Sequence, residues 1–259
     1  MSATVSPKIR FKNQSQSFLV VVLMKTGEIV RLENVSKIYR IEEIEIKALD
    51  KVSLTICEGE YVSIMGPSGS GKTTLLDIIT TMLAPTSGEV FIDGVPTTKM
   101  SNSELARYRG QKIGFIFQTF NLLPKLTALE NVITPLWING VPRKKRKERA
   151  KELLEKVGLG NRLHNRPGQL SGGQRQRVAI ARALAMDPNI IVADEPTGNL
   201  DSISGENVME ILNKLHKEEK RSIILVTHDE SIGKKAERRI FLKDGRIVSG
   251  NEKKICQLK

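Results

Sequence analysis

Residues 66–73 constrain the fold of this chain more than any other part of its sequence. They read Gly-Pro-Ser-Gly-Ser-Gly-Lys-Thr, follow the apolar run Tyr61–Met65 and precede an apolar segment that begins at Thr74. This order is typical of a strand, a glycine-rich turn and a helix, at the spacing of a phosphate-binding P-loop. Glycines let the backbone approach an anion closely, and the positive end of the following helix faces it. We therefore expect this segment to bind the phosphates of a nucleoside triphosphate.

Two side chains of the loop are suited to act on the phosphates directly. Lys72 would place its charge on the β- and γ-phosphates, and the Thr73 hydroxyl would ligate Mg²⁺. The alternative is a surface turn before a helix, and the apolar character of both flanks disfavours it. The residues expected to contact the nucleotide here are Gly66, Pro67, Ser68, Gly69, Ser70, Gly71, Lys72, Thr73 and Thr74.

A second glycine-rich helix start lies at 170–174, Leu-Ser-Gly-Gly-Gln, and an amphipathic segment follows it. The backbone amides there and the Ser171 hydroxyl predict a second phosphate site. One γ-phosphate does not need two such sites from a single chain. We therefore infer that the second site serves a nucleotide held by a partner chain.

Two apolar runs end in residues that can carry chemistry. The run at 190–195 ends in Asp194 and Glu195, and the run at 223–228 ends in His228. A parallel α/β sheet presents catalytic groups at the carboxyl ends of its buried strands. Asp194 is predicted to hold Mg²⁺, and Glu195 to polarise an attacking water molecule.

Taken in order along the chain, these segments resemble the nucleotide-binding domain of ABC transporters. The resemblance covers roughly residues 28 to 248 and includes Asn-Leu-Asp at 199–201. The 170–174 signature is far more specific than a P-loop alone. The resemblance implies that the chain is an ATPase with ATP and Mg²⁺ as its ligands.

The resemblance also assigns roles to single residues. Gln118 matches the Q-loop of the family, and Tyr39 matches the aromatic residue that stacks on adenine. Taken singly, Gln118 could be a surface amide, His228 a core histidine and Tyr39 a packing aromatic, but the intact motifs favour the functional roles. The implied catalytic residues are Glu195, His228 and Gln118, the implied metal ligands are Thr73, Gln118 and Asp194, and the residues implied to contact the partner's nucleotide are Ser171, Gly172, Gly173 and Gln174.

The implied fold class is α/β, a P-loop NTPase core with a mostly parallel sheet, an antiparallel β subdomain and a helical signature subdomain. Apolar runs at 28–32, 52–56, 61–65 and 88–95 predict the small antiparallel sheet. We divide the chain into an N-terminal extension, 1–27, and an ATPase domain, 28–259, with the helical subdomain at about 119–186.

The N-terminal extension does not resemble the family. Its apolar run of about seven residues is too short to span a bilayer and lacks the features of a signal peptide. Met24 is a plausible true start, which leaves open whether residues 1–23 are translated. The alternatives are an additional edge strand or a disordered tail.

The chain is basic, with a net charge of +12. Without residues 1–23, which hold three basic and no acidic side chains, the charge would be +9. The densest basic run, 143–147, contains no aromatic residue, which disfavours a nucleic-acid groove. A solvated helix end is the first interpretation of this run, and attraction to an anionic inner membrane leaflet is the second.

The two cysteines, Cys57 and Cys256, match no metal or redox spacing. We therefore expect ordinary thiols in a reducing compartment. No segment reaches the roughly 18 apolar residues that a membrane span requires, so a transport pore would belong to other chains.

Two classes of function fit the motifs, a transporter motor and a soluble ABC ATPase of the DNA-repair or translation type. One signature, two isolated cysteines and no heptad insert favour the motor. The segments 113–124 and 126–132 resemble the lipoprotein-release and macrolide-export subfamily, with amino-acid importers as the alternative. The expected partners are a second ABC ATPase subunit and integral membrane permease subunits, without nucleic acid. The expected location is the cytoplasmic face of the plasma membrane, and the cargo is left open.

Overall fold

The computed structural model describes residues 27–250 and Cys256. Except for Gly27, the predicted N-terminal extension and the suggested start at Met24 lie outside the described residues. The strands in this part of the chain are β1 (Glu28–Ile41), β2 (Ile44–Cys57), β3 (Tyr61–Met65), β4 (Ser87–Ile92), β5 (Val95–Pro96), β6 (Ile113–Ile116), β7 (Ile190–Asp194), β8 (Ser222–Val226), β9 (Arg238–Lys243) and β10 (Arg246–Ser249). The α-helices are α1 (Lys72–Ile79), α2 (Asn102–Lys112), α3 (Ala128–Ile138), α4 (Arg143–Lys156), α5 (Gly172–Ala183), α6 (Ser202–Lys217) and α7 (Glu230–Gly233).

The first sheet is antiparallel, in the order β2-β1-β4-β5. It confirms the small antiparallel sheet that the sequence predicts, except for the run at 61–65. That run forms β3 and pairs in parallel with β8 and β9 of the second sheet. The apolar runs at 28–32 and 52–56 mark only parts of β1 and β2, each of which has 14 residues. Both strands extend beyond these runs into polar residues that show no apolar alternation. Pairing with the neighbouring strand satisfies the backbone hydrogen-bonding groups of those residues.

The second sheet has the order β10-β9-β3-β8-β7-β6 and is parallel except for the β9–β10 hairpin. Alternate residues of β7 and β8 enter two different cores. Ile191 and Leu225 pack with the helices α3–α6, whereas Val192 and Ile224 pack with α1 and the antiparallel sheet. Because both faces are covered, these strands are continuous apolar runs.

The helices α3, α4 and α5 pack against one another. Ala150, Leu153 and Leu154 on one face of α4, and Val157 directly after it, are buried. A capping box of Thr127 and Glu130 starts α3 by satisfying its first amides. Across the described residues, no helix combines the length and apolar character needed to cross a bilayer.

The expectation of two ordinary thiols is wrong in this structure. Cys57 and Cys256 form a disulfide across a sequence separation of 199 residues, with their Cα atoms 5.4 Å apart. Cys57 is the last residue of β2 and pairs with Glu28 of β1. Sequence spacing could not reveal this pair, because only the path of the folded chain brings Cys256 back to the first sheet.

Candidate nucleotide-binding and hydrolysis site

A cleft of about 720 Å³ opens where the chain leaves β3, β7 and β8. It therefore lies at the carboxyl edge of the parallel sheet, where α/β folds place their ligands. The predicted site residues that line it are Ser68, Gly69, Gly71, Lys72, Thr73, Thr74, Gln118, Asp194, Glu195 and His228. One cleft thus brings together residues that are separated by up to 160 positions in the sequence.

The loop after β3 is closely packed against its surroundings. Cβ atoms added at Gly66 and Gly71 would lie 2.1 Å and 2.4 Å from backbone carbonyl oxygens, and both residues have positive φ. No other residue fits there without moving the backbone. Lys72 Nζ donates to the carbonyl oxygen of Gly66 and to that of the next residue, at 2.8 Å each. The backbone of the loop therefore holds the Lys72 ammonium group close to the N-terminal end of α1.

The negative charges of two other carboxylates act on Asp194. Burial raises the pKa of Asp194, the negative charges of Glu195 and Asp77 raise that pKa further, and the charge of Lys72 lowers it. Burial also raises the pKa of Asp77, which lies on α1. A cation at this point would offset the repulsion. Asp77 did not stand out in the sequence because nothing in its spacing relates it to Asp194.

The carboxylate of Glu195 is firmly positioned. Glu195 has a φ of 44°, and its amide donates to the carbonyl oxygen of Val226 at 2.9 Å. Its Oε1 accepts a hydrogen bond from the backbone amide of His228 at 3.0 Å and lies 2.6 Å from His228 Nδ1. The glutamate side chain is 15% exposed and the imidazole 73%. The imidazole can therefore turn toward a ligand while the glutamate stays in place.

Gln118 is exposed and lies next to the loop that follows Glu195. A Cβ atom added at Gly198 would approach Gln118 Nε2 to 3.0 Å. The side-chain amide of Asn199 donates to the carbonyl oxygen of Gln118 at 3.1 Å. The two loops are therefore coupled at the edge of the cleft.

Gln176 was not predicted as a functional residue. It lies on α5 and is fully buried, and its Nε2 donates to the carbonyl oxygen of Pro196 at 2.8 Å and to that of Phe117 at 3.4 Å. It thus joins the helix of the 170–174 signature to the loops of Gln118 and Glu195. The signal in the sequence is a polar amide on the apolar face of an amphipathic helix.

The remaining predicted residues do not line the cleft. Tyr39 is 37% exposed and lies opposite Ile46 of β2, which does line it. Ser171 caps α5, since its Oγ accepts the Gln174 amide and Gln174 Oε1 accepts the Ser171 amide. The signature therefore forms a helix start outside the cleft of its own chain. The roles predicted for Tyr39, for residues 171–174 and for the residues that line the cleft remain predictions.

One wall of the cleft consists of residues that were not predicted from the sequence. It is built by Ile46, Lys47 and Ala48 of β2 and by Asp244 and Gly245 at the β9–β10 turn. An Asp-Gly pair is typical of a hairpin turn, but nothing in its sequence pattern places that hairpin at the site. Its backbone fixes this position, because the amide of Gly245 donates to the carbonyl oxygen of Ser70 at 3.0 Å.

Comparison with known proteins agrees with this geometry. The family model described as ABC transporter matches residues 49–198. An uncharacterized ABC transporter ATP-binding protein of Thermotoga maritima is 54% identical over 220 residues, which cover 85% of this chain and 94% of that relative. The lipoprotein-releasing system ATP-binding protein LolD of Aquifex aeolicus is 48% identical over 222 residues, which cover 86% of this chain and 97% of LolD.

The macrolide export ATP-binding/permease protein MacB of Aggregatibacter actinomycetemcomitans is 51% identical over 226 residues, which cover 87% of this chain but 35% of MacB. A dimeric, post-hydrolysis structure of the ATP-binding cassette MJ0796 bound to ADP and Pi matches with a TM-score of 0.79. It is 49% identical and covers 88% of this chain and 100% of that one. The fold, the cleft and these similarities lead to one conclusion: the chain belongs to the ABC transporter family and is an ATP-hydrolysing cassette.

Proposed function

We propose that this chain is the motor subunit of an export or lipoprotein-release type transporter and works as a dimer at the cytoplasmic face of the membrane. The similarity to LolD and MacB supports the transporter type, and the dimeric MJ0796 cassette supports the assembly. The observation that carries the proposal is the division of the motifs. The P-loop, Asp194, Glu195 and His228 share one cleft, whereas the Ser171 helix start lies outside it.

The residues of the cleft fit a magnesium ion. Mg²⁺ in nucleotide sites is held by one or two carboxylates, hydroxyl groups and the phosphates of the substrate. The Thr73 hydroxyl, the Gln118 amide and the Asp194 carboxylate line the same cleft. Burial, and after it the negative charges of Glu195 and Asp77, raise the pKa of Asp194, so a cation beside this carboxylate would favour its charged form. These three residues would hold the ion, which would neutralise charge on the β- and γ-phosphates.

Hydrolysis in this proposal uses the chain's own side chains. Lys72 and the first amides of α1 hold the β- and γ-phosphates. Glu195, fixed by the His228 backbone, accepts the proton of the attacking water molecule. The exposed imidazole of His228 turns from Glu195 toward the γ-phosphate. The Ser171 helix start of the partner closes the other side of the nucleotide.

Closure of two such chains on two nucleotides would pull on permease subunits. The loops of Gln118 and Glu195 and the signature helix are joined through Gln176. A change at the γ-phosphate can therefore move the helical part of the cassette. The permease would contact the cassette near Gln118 and helices α3–α5.

A complementation experiment tests the shared site. Lys72→Ala removes the lysine that binds the phosphates in a chain's own cleft. Ser171→Arg blocks the contact of the signature with the nucleotide of the partner chain. Each variant alone should therefore be nearly inactive. A mixture can assemble one intact site per mixed dimer and should recover part of the ATPase rate. Ser249→Arg, on the exposed strand β10, is the matched control and should hydrolyse ATP normally.

ATP-dependent dimerisation, followed by light scattering, separates the remaining outcomes. A mixture that dimerises but does not hydrolyse ATP indicates that the two sites of a dimer must hydrolyse together. This outcome agrees with a shared site. If Ser171→Arg hydrolyses ATP normally and still dimerises, the signature does not contribute to a shared site and the proposal fails.

A further inference from the structure

The turn between α3 and α4 carries an exposed patch in which apolar and basic side chains lie side by side. Trp137 and Ile138 end α3 and are 64% and 73% exposed. Residues 139–142 form the turn, and α4 begins with a basic run. We call this patch the α3–α4 tip; its members, all exposed, are Trp137, Ile138, Arg143, Lys144, Lys145 and Lys147.

Backbone hydrogen bonds order the α3–α4 tip. The amide of Gly140 donates to the carbonyl oxygen of Trp137 at 3.0 Å, and that of Val141 donates to Leu136 at 3.0 Å. On the other side of the turn, the amide of Arg146 donates to the carbonyl oxygen of Pro142 at 3.0 Å. Since α3 and α4 pack against each other, the apolar end of α3 and the basic start of α4 lie at the same end of the helix pair.

The positive charge of the α3–α4 tip is not compensated within residues 27–250 and Cys256. No acidic side chain there forms an ion pair with its four basic residues, whereas further along α4 Arg149 pairs with Asp187 and Lys151 pairs with Glu155. The first turn of α4 contains no acidic residue. Cations at a helix start are opposed by the helix dipole. An anionic surface outside the chain would remove this conflict.

The pairing of tryptophan with lysine and arginine identifies the kind of surface. Tryptophan is enriched at the boundary between lipid and water, and clustered basic residues are attracted to anionic lipid headgroups. A single-stranded nucleic-acid site would alternate several aromatic rings with basic residues, whereas the tip has a single aromatic residue, Trp137, next to the exposed aliphatic Ile138. We propose that the α3–α4 tip binds the anionic surface of a lipid bilayer, with Trp137 and Ile138 at headgroup level. This contact adds to the proposed transporter role and does not depend on ATP hydrolysis.

The test uses the fluorescence of Trp137, which is the only tryptophan of the chain. The full chain is titrated with phosphatidylglycerol-containing vesicles and, separately, with pure phosphatidylcholine vesicles. We expect a blue shift and co-sedimentation with the anionic vesicles only, and loss of both at about 1 M salt, where charges are screened within ~3 Å. Lys144→Glu with Lys145→Glu should weaken binding at least tenfold, on the order expected for reversing two surface charges. Ile138→Ser should weaken it less.

The matched control is Lys217→Glu with Lys235→Glu, which makes the same charge change at exposed lysines outside the tip. This control should keep most of the binding, and both double variants should keep the wild-type ATPase rate. Vesicle binding without a Trp137 shift, equal loss in the two double variants, or no binding to anionic vesicles overturns the proposal. A Trp137 shift with a short oligonucleotide but not with vesicles overturns it in favour of nucleic acid. Loss of ATPase activity in every protein would instead count against the proposed function.

Discussion

The geometry around Glu195 is set by its contacts with two neighbouring residues of the next strand end. The carboxylate accepts the His228 amide, lies 2.6 Å from His228 Nδ1 and lies 3.3 Å from Thr227 Oγ1. Together with its left-handed φ, these contacts direct the side chain into the cleft. At the scale of single residues, the site is a largely buried carboxylate held by its neighbours beside an exposed imidazole.

Glu195→Gln should bind ATP and hydrolyse it roughly 10²–10⁴-fold more slowly, because the amide keeps the shape of the side chain and loses its basicity. Steady-state ATPase rates and nucleotide binding measure the two effects. The trapped protein should also appear as an ATP-dependent dimer by light scattering. A rate within about twofold of wild type would remove Glu195 from the role of general base.

Asp194→Asn should raise the thermal stability of the nucleotide-free protein at neutral pH. The folded pKa of Asp194 is raised, first by burial and then by Glu195 and Asp77. The charged form is therefore disfavoured in the folded state, and stability falls as pH rises from the unfolded pKa through the folded one. The variant removes this cost, so Tm should rise by roughly a few degrees at pH 7 and not at pH 3.

The same substitution should weaken the stabilisation by Mg²⁺ and ATP, since it removes a ligand of the proposed ion. Calorimetric melting with and without Mg²⁺ and ATP measures both effects. Ser249→Asn on β10 is a surface control. A lower Tm in Asp194→Asn, or undiminished stabilisation by Mg²⁺ and ATP, would contradict this account.

At the scale of elements, α5 organises the loop that follows β6. Besides the Gln176 hydrogen bonds, Arg182 Nη2 donates to the carbonyl oxygen of Phe120 at 2.9 Å, and the Arg175 guanidinium lies 5.3 Å from the centre of the Phe120 ring. Phe120 and Asn121 both have positive φ. Two consecutive left-handed residues persist where surrounding contacts hold them. The signature helix thus sets the shape of the loop that carries Gln118.

Gln176→Leu should lower the ATPase turnover number more than it lowers ATP affinity. The leucine fills a similar volume but cannot bind the loops of Gln118 and Glu195. Gln176 Oε1 has no hydrogen-bond partner within the described residues, so the loss of stability should stay within about 1–3 kcal/mol. Gln111→Leu, at an exposed position of α2, is the control. Equal kinetics in the two variants would show that Gln176 does not couple the loops.

At the scale of the whole molecule, the disulfide anchors the C-terminal end of the chain to the first sheet. Cys57 is the last residue of β2, and Ala48, nine positions earlier, lines the cleft. An extended strand covers about 3.3 Å per residue, so the disulfide lies at most roughly 30 Å along β2 from the cleft. In the oxidised protein, the cross-link therefore lies at the opposite end of β2 from the residues that line the cleft.

Cys256→Ser should lower the Tm of oxidised protein without changing its ATPase rate. The expected loss is about 2–5 kcal/mol, since the cross-link closes a long loop in the unfolded chain. Differential scanning calorimetry with and without a thiol reductant measures it, and non-reducing mass spectrometry counts the free thiols. Reduced wild type and the variant should melt together. Identical melting of oxidised and reduced wild type would contradict a stabilising cross-link.

Local motifs and the family resemblance that they carry were enough to predict that this chain is an ATPase. The P-loop, the strand ending in Asp194 and Glu195, and His228 are short patterns whose backbone geometry is largely self-contained, and the fold class they imply is confirmed. The placement of these patterns around one cleft also follows from the sequence, because buried parallel strands present their carboxyl ends on one edge.

The tertiary structure alone decided the contacts between distant segments. Four features join residues that have no shared spacing in the sequence. They are the cleft wall from β2 and Asp244, the electrostatic effect of Asp77 on Asp194, the link through Gln176 and the pairing of Cys57 with Cys256. Such contacts depend on sheet order, strand length and register. These properties are set by the burial of both cores at once, and no local pattern in the sequence encodes them.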